Sequence, residues 1–139
     1  MRTPFARSRP WMGRWLLAVA ALHTLFGLLV FAGPLRQLLR LGLFDAVGTD
    51  PLMAAVTWFL LFGAPLALLG QALTLLERQA AVVDPASLRP LGWGLLGLGT
   101  LGIVLMPASG FWLLLPVVWA LLRRRPAADR VSSSRPYSP

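Results

Sequence analysis

Cysteine, lysine and asparagine are absent from this 139-residue chain, and charged residues of either sign are scarce at 13%. Without cysteine there is no structural disulfide, no cysteine-ligated zinc and no thiol nucleophile. Histidine occurs once and acids number five, too few to supply a metal-ligand set. Basic charge is carried by arginine alone, 13 residues, which gives a formal charge of +8 and a pI near 11.9. Taken by itself that balance suggests a nucleic-acid binder, but the placement of the arginines points elsewhere. What is abundant is apolar: 57% of residues are hydrophobic and the mean hydropathy is +0.70, which excludes an ordinary soluble globule.

Three charge-free runs organise the chain, Trp15–Leu35, Pro51–Leu76 and Pro90–Leu122, of 21, 26 and 33 residues. A helix rises about 1.5 Å per residue, so roughly 20 apolar residues cross the hydrocarbon core of a bilayer. The first two runs each fit one crossing. The third is too long for one and is broken at Pro107-Ala108-Ser109-Gly110, so it reads as a tight hairpin of two short helices. The expected fold is all-α: an integral membrane four-helix bundle with spans at about 11–32, 52–76, 91–106 and 109–122. A basic N-terminus (1–10) and an Arg/Ser/Pro tail (123–139), expected to be disordered, flank it.

Arginine distribution supports the same count. With both termini on the cytoplasmic side, 11 of the 13 arginines lie inside and only Arg36 and Arg40 outside, as the positive-inside bias requires. Three spans would instead put the five C-terminal arginines outside. Arg14, Arg123, Arg124 and Arg125 are expected to anchor span ends and to attract anionic headgroups. Beside a span, such a basic tail is topogenic and lipid-binding, and no nucleic-acid partner is expected. A secretory signal peptide ending near Val30-Phe31-Ala32 is the alternative for the first segment, disfavoured by the length of its apolar run.

The first loop has room for structure. Leu35, Leu38 and Leu39 alternate with Arg36, Gln37 and Arg40 in the pattern of a short helix lying on the outer surface. Asp50-Pro51 reads as an N-cap followed by proline at the first helical position. Asp45, in the glycine-flanked phrase Gly42-Leu43-Phe44-Asp45-Ala46-Val47-Gly48, is a loop acid able to pair with Arg36 or Arg40. Small residues recur at helical spacing at Gly63, Ala67, Gly70 and Thr74, and again at Gly92, Gly99 and Gly102, as in closely packed membrane helices. Pro65 and Pro116 fall inside the second and fourth spans, where each permits a kink. Trp11, Trp15, Trp93 and Trp112 near span ends read as interfacial belts.

His23 is the only ionisable side chain near a membrane midplane, so it is the leading site candidate. Ala20, Thr24 and Gly27 continue its stripe, and Thr57, Ala64 and Gln71 form a comparable one on the second span. The plain reading is a neutral histidine bonded to a helix carbonyl or to Thr57; the functional readings are ligand or quinone binding, proton handling, or haem ligation. No nucleophile, base and orienter converge, so no catalytic residues are assigned, and no metal or cofactor is implied. Glu77, at the cytoplasmic end of the second span, is the nearest carboxylate that ion-coupled transport could use.

Several phrases together resemble an uncharacterised family of small bacterial inner-membrane proteins, the domain of unknown function numbered 6463, with a looser likeness to DoxX-type four-helix proteins. They are His23-Thr24-Leu25-Phe26-Gly27, the Gly42–Gly48 phrase with Asp50-Pro51, Trp58–Pro65, Leu91-Gly92-Trp93 and Leu105–Trp112. The resemblance implies four helices in the bacterial inner membrane and supplies no mechanism. The expectation is a non-enzymatic small-molecule-binding or accessory membrane subunit, with a candidate site at His23, Thr24, Thr57, Trp58 and Asp45. Its partners are then anionic lipid, with a second copy or a membrane complex as further candidates. A small homo-oligomeric transporter, and a quinone- or haem-associated redox protein, are the alternatives.

Overall fold

The computed structural model describes residues 11–42, 44–79 and 85–123. The elements among the described residues are all helical: α1 (Met12–Val30), α2 (Ala32–Leu41), α3 (Pro51–Arg78), α4 (Arg89–Leu105) and α5 (Leu115–Leu122), with 3-10 turns at Pro85–Leu88 and Gly110–Leu114. No strand occurs among them. The basic N-terminal residues 1–10 and the tail from Arg124 onward, Arg124 and Arg125 included, lie outside the described residues.

Local chemistry explains the boundaries. Asp50 is extended, and its Oδ1 accepts from the Leu52 and Met53 backbone N–H groups at 2.8 and 3.3 Å, while Pro51 fills the first position where no N–H is needed. Helix α4 stops at Met106, just before Pro107, and the chain turns back through Ser109 into the Gly110–Leu114 turn, which runs directly into α5. The Trp112 indole N–H donates to the Pro107 carbonyl at 2.8 Å and holds this reversal closed. Pro65 sits within an unbroken α3. Pro116, by contrast, lies in the first turn of α5, where proline costs little, so the expectation of a mid-helix proline there is corrected. In the 3-10 geometry the donor for the Leu113 carbonyl would be residue 116, which has no N–H; the Trp15 indole donates to that carbonyl at 2.8 Å instead.

Helices α1 and α3 pack antiparallel. At one end a Cβ on Gly13 would collide with the Thr74 hydroxyl and backbone and with the Gly70 carbonyl; midway, a Cβ on Gly63 would lie 2.5 Å from Thr24 Oγ1. These are near backbone-to-backbone contacts that only small residues allow. The face Gly63, Gly70, Thr74 therefore meets α1, opposite Ala20, Thr24 and Gly27. On the hairpin, Gly92 receives Leu121 and Leu122, and Gly102 receives the Phe111 ring.

The buried core sits toward one end, where α1 and α4 begin and α3 and α5 stop. Met12 and Leu16 of α1 meet Leu73 of α3 there, with Leu95 of α4 and Val117 and Leu121 of α5. Beyond it, toward the Phe31 end of α1, Leu25, Phe26, Leu29 and Trp58 are exposed. Helix α2 leaves α1 at Phe31 and has no fully buried residue.

Candidate functional site

His23 projects from α1 onto α3. Its Nε2 lies 2.8 Å from the Phe59 carbonyl oxygen, and its ring stacks on the Phe59 ring with centroids 4.2 Å apart. A carbonyl oxygen only accepts, so Nε2 is the donor and Nδ1 is the remaining position on the ring. Phe62 meets the imidazole edge-on at 6.0 Å, and Phe31 meets Phe59 edge-on at 5.3 Å. The histidine is therefore half-buried in an aromatic cluster with one polar tie, to main chain.

Of the five site candidates, the structure gathers His23 and Thr24 at the α1–α3 seam. Of the two partners expected for His23, a helix carbonyl or Thr57, the carbonyl is the one engaged, that of Phe59, and Thr57 Oγ1 is buried with no hydrogen-bond partner among the described residues. The reason is rotational. Gly63, Gly70 and Thr74 allow the closest approach, so their face takes α1, and the stripe through Thr57, Ala64 and Gln71 is turned aside, with Ala64 and Gln71 exposed. Trp58 points away, 73% exposed. Asp45 lies in the exposed loop with a left-handed φ of +53°, and no arginine pairs with it among the described residues; Arg36 Nε donates instead to the Ala32 carbonyl of its own helix.

Thr24 also borders an open groove of about 390 Å³ on the flank of the α1–α3 pair, shared with Ala20, Ala21 and Leu28 of α1 and Gly63 and Ala67 of α3. Its walls are apolar and its mouth wide, so it offers surface contact without enclosure. Among the described residues no group of three or more His, Asp or Glu side chains could hold a metal ion.

A second polar site was not foreseen. Glu77, buried at the end of α3, accepts from the backbone N–H groups of Met12 at 3.2 Å (Oε1) and Gly13 at 3.1 Å (Oε2). Helix α1 has no side-chain cap of its own and no acid in its first turn. The carboxylate of a different helix thus satisfies its orphan donors and faces the positive end of its dipole. The signal available in the sequence was negative: Pro10-Trp11-Met12-Gly13 holds no capping residue, so the cap had to come from elsewhere.

Two of the arginines among the described residues, Arg14 and Arg123, lie near helix ends. Arg14 is exposed one turn into α1, and the Arg123 guanidinium lies 3.5 Å above the Trp119 ring. Trp11, Trp93 and Trp112 are exposed near helix ends.

A family model described as a family of unknown function (DUF6463) matches residues 7–128. No curated protein and no solved structure matches the chain.

Proposed function

The chain belongs to DUF6463, a family of unknown function, and we propose that it works as a non-enzymatic accessory or small-molecule-binding subunit of the bacterial inner membrane. In this reading α1, α3, α4 and the arm formed by the Gly110–Leu114 turn with α5 cross the bilayer as a four-helix bundle, both termini are cytoplasmic, and Arg14, Arg123, Arg124 and Arg125 meet anionic headgroups. Two helices, α1 and α3, are long and apolar enough to cross. Only 28% and 17% of their most apolar windows are buried within the monomer, where the core helix of a soluble protein would be mostly buried.

The observation that carries the reading is the lopsided core. The contiguous buried cluster lies at the end where α1 begins, whereas the other half of the α1–α3 pair exposes Leu25, Phe26, Leu29 and Trp58 around the half-buried imidazole of His23. Such a face suits another membrane helix or an apolar molecule with one hydrogen-bonding group for Nδ1. Glu77 is engaged in holding α1, which weighs against a transport role for that carboxylate. Nε2 of His23 is taken by main chain, which weighs against haem ligation through it.

The test is a native mass spectrum of the intact protein released from its own membrane in mild detergent. The expected result is a discrete partner protein or a non-lipid mass, diminished in His23→Ala. A bare monomer in both proteins overturns the reading.

A further inference from the structure

Helix α2 and the turn after it are an anomaly in a chain this apolar: α2 is amphipathic, yet the described residues leave most of its surface, and that of Phe44, uncovered. Leu35 and Leu38 rest partly against the body, while Leu39 continues the same face and is 68% exposed. Arg36, Gln37 and Arg40 occupy the opposite face. Past Leu41 the backbone is left-handed at Gly42 (φ +86°), Asp45 (+53°) and Gly48 (+48°), and the turn closes with Gly48 N–H to the Asp45 carbonyl and Asp50 N–H to the Val47 carbonyl. Phe44, at the head of this turn, is 98% exposed. Positive φ is uncommon for residues other than glycine, and aspartate is among those that adopt it most readily.

We propose that α2 and Phe44 form a wedge that inserts into the boundary between headgroups and acyl chains of the outer leaflet. The inference rests on the membrane reading above and deepens it. The occupant is lipid because of where the wedge sits and how it is charged. It joins the ends of the two helices long enough to cross, α1 at Phe31 and α3 at Asp50, which is the depth of the interface. Beside it, Leu29 and Val30 at the end of α1 and Leu52 at the start of α3 are exposed as well. Its arginines match phosphates, and the Nε bond of Arg36 to Ala32 leaves the terminal nitrogens of that guanidinium for them.

The absence of cysteine makes the test direct, since one introduced cysteine carries one label. Full-length Phe44→Cys, Leu39→Cys, Gln37→Cys, Leu25→Cys and Leu68→Cys proteins, each nitroxide-labelled, are reconstituted into vesicles of phosphatidylethanolamine and phosphatidylglycerol. Power saturation then compares relaxation by oxygen with relaxation by a water-soluble nickel chelate. The wedge predicts that labels at 44 and 39 are relaxed by oxygen and protected from nickel, at shallower depth than those at 25 and 68, and that the label at 37 is open to nickel. Nickel access at 44 and 39 equal to that at 37, with 25 and 68 protected, overturns the wedge and leaves the membrane reading standing. Nickel access at 25 and 68 as well overturns both. Protection of 44 from both reagents means a protein occupant and overturns the lipid assignment.

Discussion

Glu77 closes the start of α1 from the end of α3: its two carboxylate oxygens take the Met12 and Gly13 backbone N–H groups at 3.2 and 3.1 Å. The bond joins residues 64 and 65 positions apart and lies beside the point where Gly13 lets the two backbones touch. Removing the carboxylate strands two buried donors at the positive end of a helix. Glu77→Ala is expected to lower stability by about 2–3 kcal/mol, the scale of a charged hydrogen bond plus an unsatisfied buried group. Glu77→Gln, which keeps one acceptor, is expected to lose less. Thermal unfolding in detergent reads both, and an unchanged midpoint in Glu77→Ala would rule out the cap as a stabilising element.

A glycine at a helix contact and glycines on an open helix face are expected to behave oppositely. Gly13→Ala places a methyl into the Thr74 and Gly70 backbones, and overpacking of this kind costs about 1–3 kcal/mol or more. Gly94 and Gly97 of α4 have nothing within 4 Å of an added Cβ, so alanine there is expected to be neutral or slightly stabilising. A melt that does not distinguish Gly13→Ala from Gly94→Ala would show that the α1–α3 contact is looser than described.

His23→Phe separates ring stacking from hydrogen bonding, because it keeps an aromatic face against Phe59 and deletes the donor to the Phe59 carbonyl. An interhelical bond of this type in a membrane is worth about 0.6–2 kcal/mol, so a small loss of stability is expected. Loss of a bound non-lipid mass from this variant, at little cost in stability, would assign the functional role to the imidazole. Full retention of that mass would move the ligand site elsewhere.

The Arg123 guanidinium stacks on the Trp119 ring, and in the membrane reading proposed above its N–H edge meets headgroup phosphates. Arg123→Gln and Arg14→Gln together are expected to reduce the anionic phospholipid that copurifies, leaving zwitterionic lipid unchanged. Quantitative lipid mass spectrometry decides this, and equal anionic lipid in both proteins would remove headgroup binding from these two side chains.

Much of the fold was legible because its signals are local. Asp50 and Pro51 start α3 through groups adjacent in sequence, and Pro107 with Gly110 marks the break between α4 and the following turn. The spacing of Gly63, Gly70 and Thr74 showed which face of α3 would meet a neighbour. Two things were hidden. The polar stripe through Thr57 competed with the small-residue stripe for the same partner, and only packing decides that sterics prevail over one hydrogen bond. The Glu77 cap was hidden because donor and acceptor are far apart in sequence, and a lone acid near a span end looks the same whether it is solvated or enlisted by another helix.

The indole of Trp15 and the carbonyl of Leu113 are 98 residues apart. At a synthesis rate of about 5–20 residues per second, Leu113 emerges roughly 5–20 seconds after Trp15, and the carboxylate that caps α1 is made about 3–13 seconds after the helix it serves. The first helix thus spends the interval with its leading amides unclaimed, α3 relieves it, and the hairpin docks last, so the order in which the chain is born sets the order in which its ends are tied.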